Sequence, residues 1–375
     1  LMVNLVVKAD QIPQWQSNAK IHDDSYLSIN NLTRPPDIYY IILDEYGRED
    51  VLSKYYGIDN SRFISFLQSK GFYVPSQSRT NYAITLLSLT SSMNMKYLPE
   101  NLESLIPPGA DHSTPLVELI QNNEVIDFLR KYSYQFIALA SSYSYSEFKN
   151  AGIYIRQPSY INSFELNLLN TSTTALFQDQ FSGWQARKMI IETDKIMKKL
   201  PEMNQNQQKF FFIHLLATHA PFVFDRDGNK LPAWGFSNPA ITNDPAGRSY
   251  VDAYREQLLY TNKLLETTIT EIIDKSPIEP IIILQADHGP QSMLDWSSIE
   301  NTCLEERLGI FVALHLPGVN PTVFYPTLSP ANIFRIIFNQ YFSTGMNLLP
   351  DRSYFSLWET SYDFVDVTDQ IGSCP

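Results

Sequence analysis

PIIILQADHGP, residues 280 to 290, is the stretch on which the reading of this chain turns. Ile281 to Gln285 form an apolar to near-apolar run bounded by Pro280 on one side and a polar cluster on the other, which predicts a short buried strand. It leads into Asp287 and His288. A carboxylate and an imidazole side by side at a strand end, followed by Gly289, can ligate one divalent cation through an oxygen and a nitrogen. Alone, such a pair is more often a loop aspartate with a solvated histidine. Two further stretches shift the balance. Asp37 to Asp44, DIYYIILD, is another β-rich apolar run that ends in an acid, with Glu45 beside it. Phe210 to His219, FFFIHLLATH, runs apolar into His214 and carries His219 five residues on. Three buried strands stopping at metal-capable or proton-carrying residues predict one parallel sheet whose carboxyl edge collects a site.

Composition narrows the function classes. At 375 residues the chain could hold two domains, although α/β folds of this size often share one continuous core. Its net charge of −12, without a lysine or arginine run, excludes a nucleic-acid backbone as the expected partner and does not favour docking on anionic lipid. Residues 1 to 7, LMVNLVV, are apolar, begin without a start methionine or charged n-region, and precede Lys8. They are far short of the roughly 20 residues that span a bilayer. They read either as a first strand or propeptide remnant, or as the point where a soluble part leaves a membrane helix upstream of Leu1. Cys303 and Cys374, with no CxxC spacing, leave a single disulfide and two free thiols both open.

In chain order, the Pro-, Asn- and Ser-bearing residues 9 to 36 read as a linker or wrapping arm. Helices are expected from about Glu49 and from Ser61 to Lys70, the second capped by Asn60 and stopped by Gly71, with a short strand FYVP after it. Residues 79 to 94, RTNYAITLLSLTSSMN, turn apolar at helical spacing, and Thr85 sits where the helix begins. Its hydroxyl would stand among free backbone amides at the positive end of the helix dipole, a suitable seat for a nucleophile attacking phosphorus; taken alone, it is an ordinary N-cap. One helix is expected from Thr114 to about Lys131, with His112 solvated ahead of it, and short strands and Tyr/Ser/Asn-rich loops from Tyr132 to Thr174. A helix from Trp184 to Leu200 ends at Pro201. A long polar loop follows the strand at His214, and the longest helical pattern spans Ser249 to Lys275. ERLGIFVALHLPG reads as a further strand with His315 in core or edge, and Ser329–Pro330 open a last helix to about Phe342.

LDEYG near the amino end, NYAITLLSLTSSMN some forty residues later, IHLLATHAPF mid-chain and ILQADHG late in the chain together resemble, in order and spacing, the alkaline phosphatase superfamily. The branch resembled is the sulfatase-like group that includes lipoteichoic acid synthases and phosphoethanolamine transferases. The resemblance spans about residues 37 to 345 and implies an α/β fold, a mostly parallel central sheet flanked by helices on both faces. The arm over residues 1 to 36 and the tail over 346 to 375, packing on the domain, lie outside it.

The resemblance also implies roles. Asp44, Thr85, Asp287 and His288 would hold one divalent metal ion, manganese or zinc, with a weaker second ion near His219 left open. Thr85 would be the nucleophile, passing through a covalent phosphothreonine that an acceptor hydroxyl or water releases. His219 would contact the substrate phosphate or leaving group, and His214 would stand behind the ligands or on the substrate side. The implied protein is an extracytoplasmic, membrane-anchored phosphotransferase or phosphodiesterase acting, as a monomer, on a lipid or glycan head group. A soluble phosphomonoester or sulfate-ester hydrolase and a non-catalytic envelope scaffold are the alternatives. Departures matter here: the Thr85 region has no C/S-x-P-x-R context for a formylglycine, and His214 and His219 lack the acid of a two-metal DxxxH motif. Glu45 replaces the second acid of an Asp-Asp pair, and its role is left open.

Overall fold

Strands buried on both faces must be apolar throughout, and Ile38–Leu43 is buried at every position. It is β1, near the middle of a six-stranded sheet ordered β3-β2-β4-β1-β7-β8. The computed structural model describes residues 35–99, 102–106, 113–141, 143–148, 150–158, 161, 178–203, 206–234, 248–372 and 374–375. Nearly all of the expected amino-terminal arm, His112 and residues 162–174 therefore lie outside the described residues.

After β1 come α1 (Glu49–Tyr56), α2 (Ser61–Ser69), α3 (Thr85–Asn94), α4 (Thr114–Gln121), α5 (Glu124–Lys131), β2 (Gln135–Leu139), β3 (Ile153–Ile155), α6 (Gln178–Met197) and β4 (Lys209–Leu215). There follow β5 (Phe222–Phe224), β6 (Lys230–Trp234), α7 (Tyr250–Lys275), β7 (Ile281–Gln285), α8 (Leu304–Leu308), β8 (Val312–His315) and α9 (Pro330–Phe342), then the short pair β9 (Tyr354–Phe355) and β10 (Val365–Asp366). β3, β2, β4, β1 and β7 run parallel, and β8 closes the edge antiparallel to β7. Helices cover the sheet in two groups: α3 packs with α4, α5 and α9, and α7 packs with α1, α2 and α6. Aromatic rings seat them, as where Tyr40 of β1 meets Phe334 of α9 edge-on at 5.0 Å.

Several local expectations are corrected, each for a physical reason. The helix read over Thr114 to Lys131 is broken, because the Asn123 side chain accepts from the Ile126 amide at 2.9 Å and starts α5 afresh. Asn60 does not cap α2; its side chain is occupied by Tyr46 and Asn262. FYVP makes an isolated bridge, Tyr73 to Leu314, rather than a strand. The polar loop after His219 contains the β5–β6 hairpin, whose turn forms because Asp225 Oδ1 accepts from the amides of Asp227 and Asn229. The carboxy-terminal stretch lies against the domain: Phe355 and Val367 are buried with Ala83 and Leu308, and Cys374 is joined to Cys303.

One glycine is demanded by close approach. A Cβ on Gly289 would stand 2.0 Å from the Glu306 carbonyl oxygen, while the Gly289 amide donates to Arg307 O at 2.7 Å. Forcing these backbones apart costs about 1–3 kcal/mol. Gly289→Ala is therefore expected to lower the melting temperature by several degrees, read by thermal unfolding; an unchanged value would contradict this packing.

Candidate active site

Register places the site. Ile42 of β1 pairs with His214 of β4 on one side and with Gln285 of β7 on the other. Side chains alternate faces along a strand, so Asp44 and Asp287, each two residues further on, share the face of His214. The ladder continues far enough to hold this arrangement, since the Asp44 amide donates to Leu215 O at 3.2 Å. Asp44 and Asp287 are 2% and 0% exposed. Thr85 enters from the other side as the first residue of α3, after Ile84 in extended conformation.

The four residues singled out in the sequence come together. Thr85 Oγ1 lies 2.9 Å from His288 Nε2, which is 3.2 Å from Asp287 Oδ2 and 3.8 Å from Asp44 Oδ1. His288 Nδ1 faces Gly289 O at 3.1 Å, the place of a donor, which leaves Nε2 as the acceptor for the Thr85 hydroxyl. Thr85 makes no capping bond to its own helix, so its hydroxyl is available to the site. Thr80 steadies this wall: its hydroxyl donates to the Asp287 carbonyl at 2.6 Å.

His214 is buried beside them. Its Nε2 is 3.1 Å from Asp44 Oδ2 and its Nδ1 is 2.7 Å from Ser146 Oγ, so it holds one oxygen of Asp44 in place. Asp287 Oδ1 is likewise held, accepting from the amides of His288 at 2.9 Å and Glu45 at 3.3 Å. Asp44 Oδ1 and Asp287 Oδ2 are left buried with no hydrogen-bond partner. Buried carboxylate oxygens without donors are costly and rare.

Glu45 turns away from this cluster. Its φ of 60° is uncommon for a residue with a side chain, and it directs the carboxylate toward Tyr250 (3.2 Å), Arg307 (3.6 Å) and His219 (3.9 Å). Arg307 joins three loops at once, donating to Gly289 O and to Ala83 O, both at 2.9 Å. His219 stands at the mouth, its side chain 35% exposed and its Nδ1 2.6 Å from Ala220 O.

The electrostatics follow from burial and proximity. Burial pushes Asp287 up to about 7, helped by the charge of Asp44. Burial also acts to raise Asp44, yet His219, His214 and His288 outweigh it and hold Asp44 well below the usual carboxylate range. Glu45 is raised by burial against the pull of His219 and Arg307. His288 is kept neutral by burial and by Arg307, whereas His219, against the loss of solvation that its partial burial brings, is lifted to about 9 by Glu45 and Asp44. Two carboxylates facing one another, one ionised and one reluctant, make a pocket complementary to a dication.

The donor set fits a divalent metal. Asp44, His214 and Asp287 each offer a ligand atom within 4.8 Å of the others, and the two orphaned oxygens belong to this group. Arg307, Ser146 and Tyr143 carry no signal in the sequence, and Tyr250 reads there only as part of the buried face of the helix Ser249 to Lys275. An isolated arginine in ERLG carries no periodic or motif signal, and the other three are common residues in loops or on a helix face. Ser146 could have been found only through its partner: a histidine inside an otherwise apolar strand needs something to bond.

A sequence model described as Sulfatase matches residues 36–305. No curated protein matches the chain. Among solved structures, the C-terminal periplasmic domain of EptC from Escherichia coli, in complex with zinc, is similar with a TM-score of 0.56 at 12% identity, over 90% of this chain and 94% of that one. The soluble domain of lipooligosaccharide phosphoethanolamine transferase A from Neisseria meningitidis is similar at 11% identity and TM-score 0.51, over 83% and 89%. The lipoteichoic acid synthase LtaP from Listeria monocytogenes gives 14% identity and 0.50, over 86% and 78%. These likenesses share the mostly parallel alkaline phosphatase-type fold, and with its family match covering most of its length the chain belongs to the sulfatase family, as a sulfatase-like hydrolase or transferase.

Proposed function

We propose that this protein is a metal-dependent phosphotransferase or phosphodiesterase of the cell envelope, with Thr85 as its nucleophile and a lipid or glycan head group as its substrate. The observation that carries the reading is the placement of the Thr85 hydroxyl, 2.9 Å from His288 Nε2 and beside two buried carboxylate oxygens that lack donors. Asp44, Thr85, Asp287 and His288 would hold a zinc or manganese ion, with His214 orienting Asp44. Such an ion would lower the hydroxyl pKa and offset phosphoryl charge.

The chain's own residues supply the rest. Thr85 Oγ1, its proton released to solvent as the hydroxyl ionises, forms a bond to phosphorus as the bond from phosphorus to the leaving oxygen breaks. Phosphothreonine results, and an acceptor hydroxyl or water, passing its proton to the His219 that protonated the leaving oxygen, then attacks the same phosphorus and frees Thr85. His219, with Nδ1 turned to Ala220 O and Nε2 3.9 Å from Glu45 Oε1, stands at the mouth as the residue that can give a proton to the leaving oxygen. Arg307 and Glu45 fix the surrounding loops rather than react.

The structural neighbours support a phosphoryl-transfer reading through their named activities, phosphoethanolamine transfer and lipoteichoic acid synthesis, and one of them binds zinc. An extracytoplasmic setting with a membrane anchor upstream of Leu1 accords with the periplasmic domain among them and with the Cys303–Cys374 pair. Among the described residues no helix is long and apolar enough to cross a membrane.

Tests follow from separate roles. Thr85→Ala is expected to lower phosphodiester turnover by at least about 10³-fold with an unchanged melting temperature; wild-type turnover would remove Thr85 as nucleophile. Asp287→Asn should strip most of the metal measured by elemental analysis, where the wild type holds about one equivalent. Equal metal content in both would break the ligand set. His219→Ala is expected to impair turnover while leaving metal content near wild type, and the reverse pattern would make His219 a ligand.

A further inference from the structure

Beside the nucleophile lies a second concavity that the chemistry at Thr85 does not use. It is a groove of about 350 Å³ bounded on one side by Ile84 and Leu86, which flank Thr85, and on the other by the loop from Trp358 to Asp363. That volume suits a small organic ligand or one or two rings. Tyr143 connects groove and site: it lines the groove, and its ring meets that of His214 edge-on at 5.7 Å.

The lining has a definite character. Aromatic rings come from Tyr143 and Tyr145, packed edge-to-face at 5.5 Å, and from Trp358, which is 63% exposed while its ring leans on Trp296 at 5.6 Å. A large indole exposed at a groove rim, yet backed by another, is a rigid platform that gains by being covered. Carboxylates Glu359 and Asp363 stand beside it, and no lysine, arginine or histidine is among the described residues lining the groove. An anionic group is therefore repelled here, so the phosphoryl end of a substrate stays at Thr85. Rings to cover the apolar face of a ligand, with carboxylates to accept from its hydroxyls, match a polyhydroxylated ring: its C–H face lies on indole while its O–H groups donate outward.

We infer that the groove between Thr85 and the Trp358–Asp363 loop binds a neutral glycosyl unit of the substrate, with Trp358 as its platform and Glu359 and Asp363 as hydroxyl acceptors. The inference rests on the reading of Thr85 as the site of phosphoryl transfer and names the group carried next to it.

The test is saturation-transfer NMR on the metal-loaded protein with a panel of neutral disaccharides of gluco, galacto, manno and N-acetylglucosamine type, alongside ethanolamine and tetramethylammonium. At least one sugar is expected to show saturable transfer to its ring protons. Trp358→Ala, folded by its melting curve, should weaken that affinity at least tenfold, and Glu359→Gln with Asp363→Asn should weaken it while leaving the indole in place. Thr85→Ala should bind the sugar as wild type does, so that loss of turnover with retained sugar binding bears on the nucleophile alone. No binding by any sugar, binding that survives Trp358→Ala, or binding of the ammonium probes in place of sugars overturns the inference.

Discussion

Two carboxylates that should repel one another are buried face to face, and most of the site is organised around that fact. Asp44 and Asp287 are delivered by adjacent parallel strands in register, each two residues beyond a paired position. Each has one oxygen satisfied, by His214 or by backbone amides, and one left without a donor. Leaving a buried acceptor unmade costs about 1–3 kcal/mol, more when charged. A fold that keeps two of them has a use for the negative potential they create, and a cation is the partner that fits it.

The surrounding structure reads as support for that pair. Arg307 draws the loops of Ala83, Gly289 and Glu45 together through bonds that only a forked guanidinium can make at once. The contact between Gly289 and the backbone of Glu306 and Arg307 lets that arginine approach. Tyr254 fastens the turn after Asp44 by donating to Glu45 O, so the longest helix of the chain is tied to the same edge of the sheet. Thr85 gains its position from this scaffold: its helix begins against the loop that Arg307 holds.

Much of this was legible in the sequence, and what escaped did so for identifiable reasons. Strands buried on both faces announce themselves as unbroken apolar runs, and β1, β4 and β7 emerge where DIYYIIL, FFFIH and IIILQ predict them. Asp44, Thr85, Asp287 and His288 were visible because each marks the end or start of such an element. Helix breaks at Asn123 and the hairpin at Asp225 depended on side-chain bonds to backbone, which spacing does not reveal. Arg307 was invisible because its value lies in three long-range contacts. The aromatic and acidic groove depends on bringing residues near 143 together with residues near 360, a juxtaposition that tertiary packing alone supplies.

Convergence of Asp44 and Asp287 on a divalent cation is the feature from which the rest of the site follows. Anomalous diffraction from crystals of the purified protein, collected at the zinc and manganese absorption edges, tests it without reference to any substrate. A single strong anomalous peak bounded by Asp44 Oδ1, Asp287 Oδ2 and Thr85, with His288 completing the set, is the expected result. Crystals soaked in both metals that show no peak there, with water bonded to the two carboxylate oxygens in its place, would contradict the account.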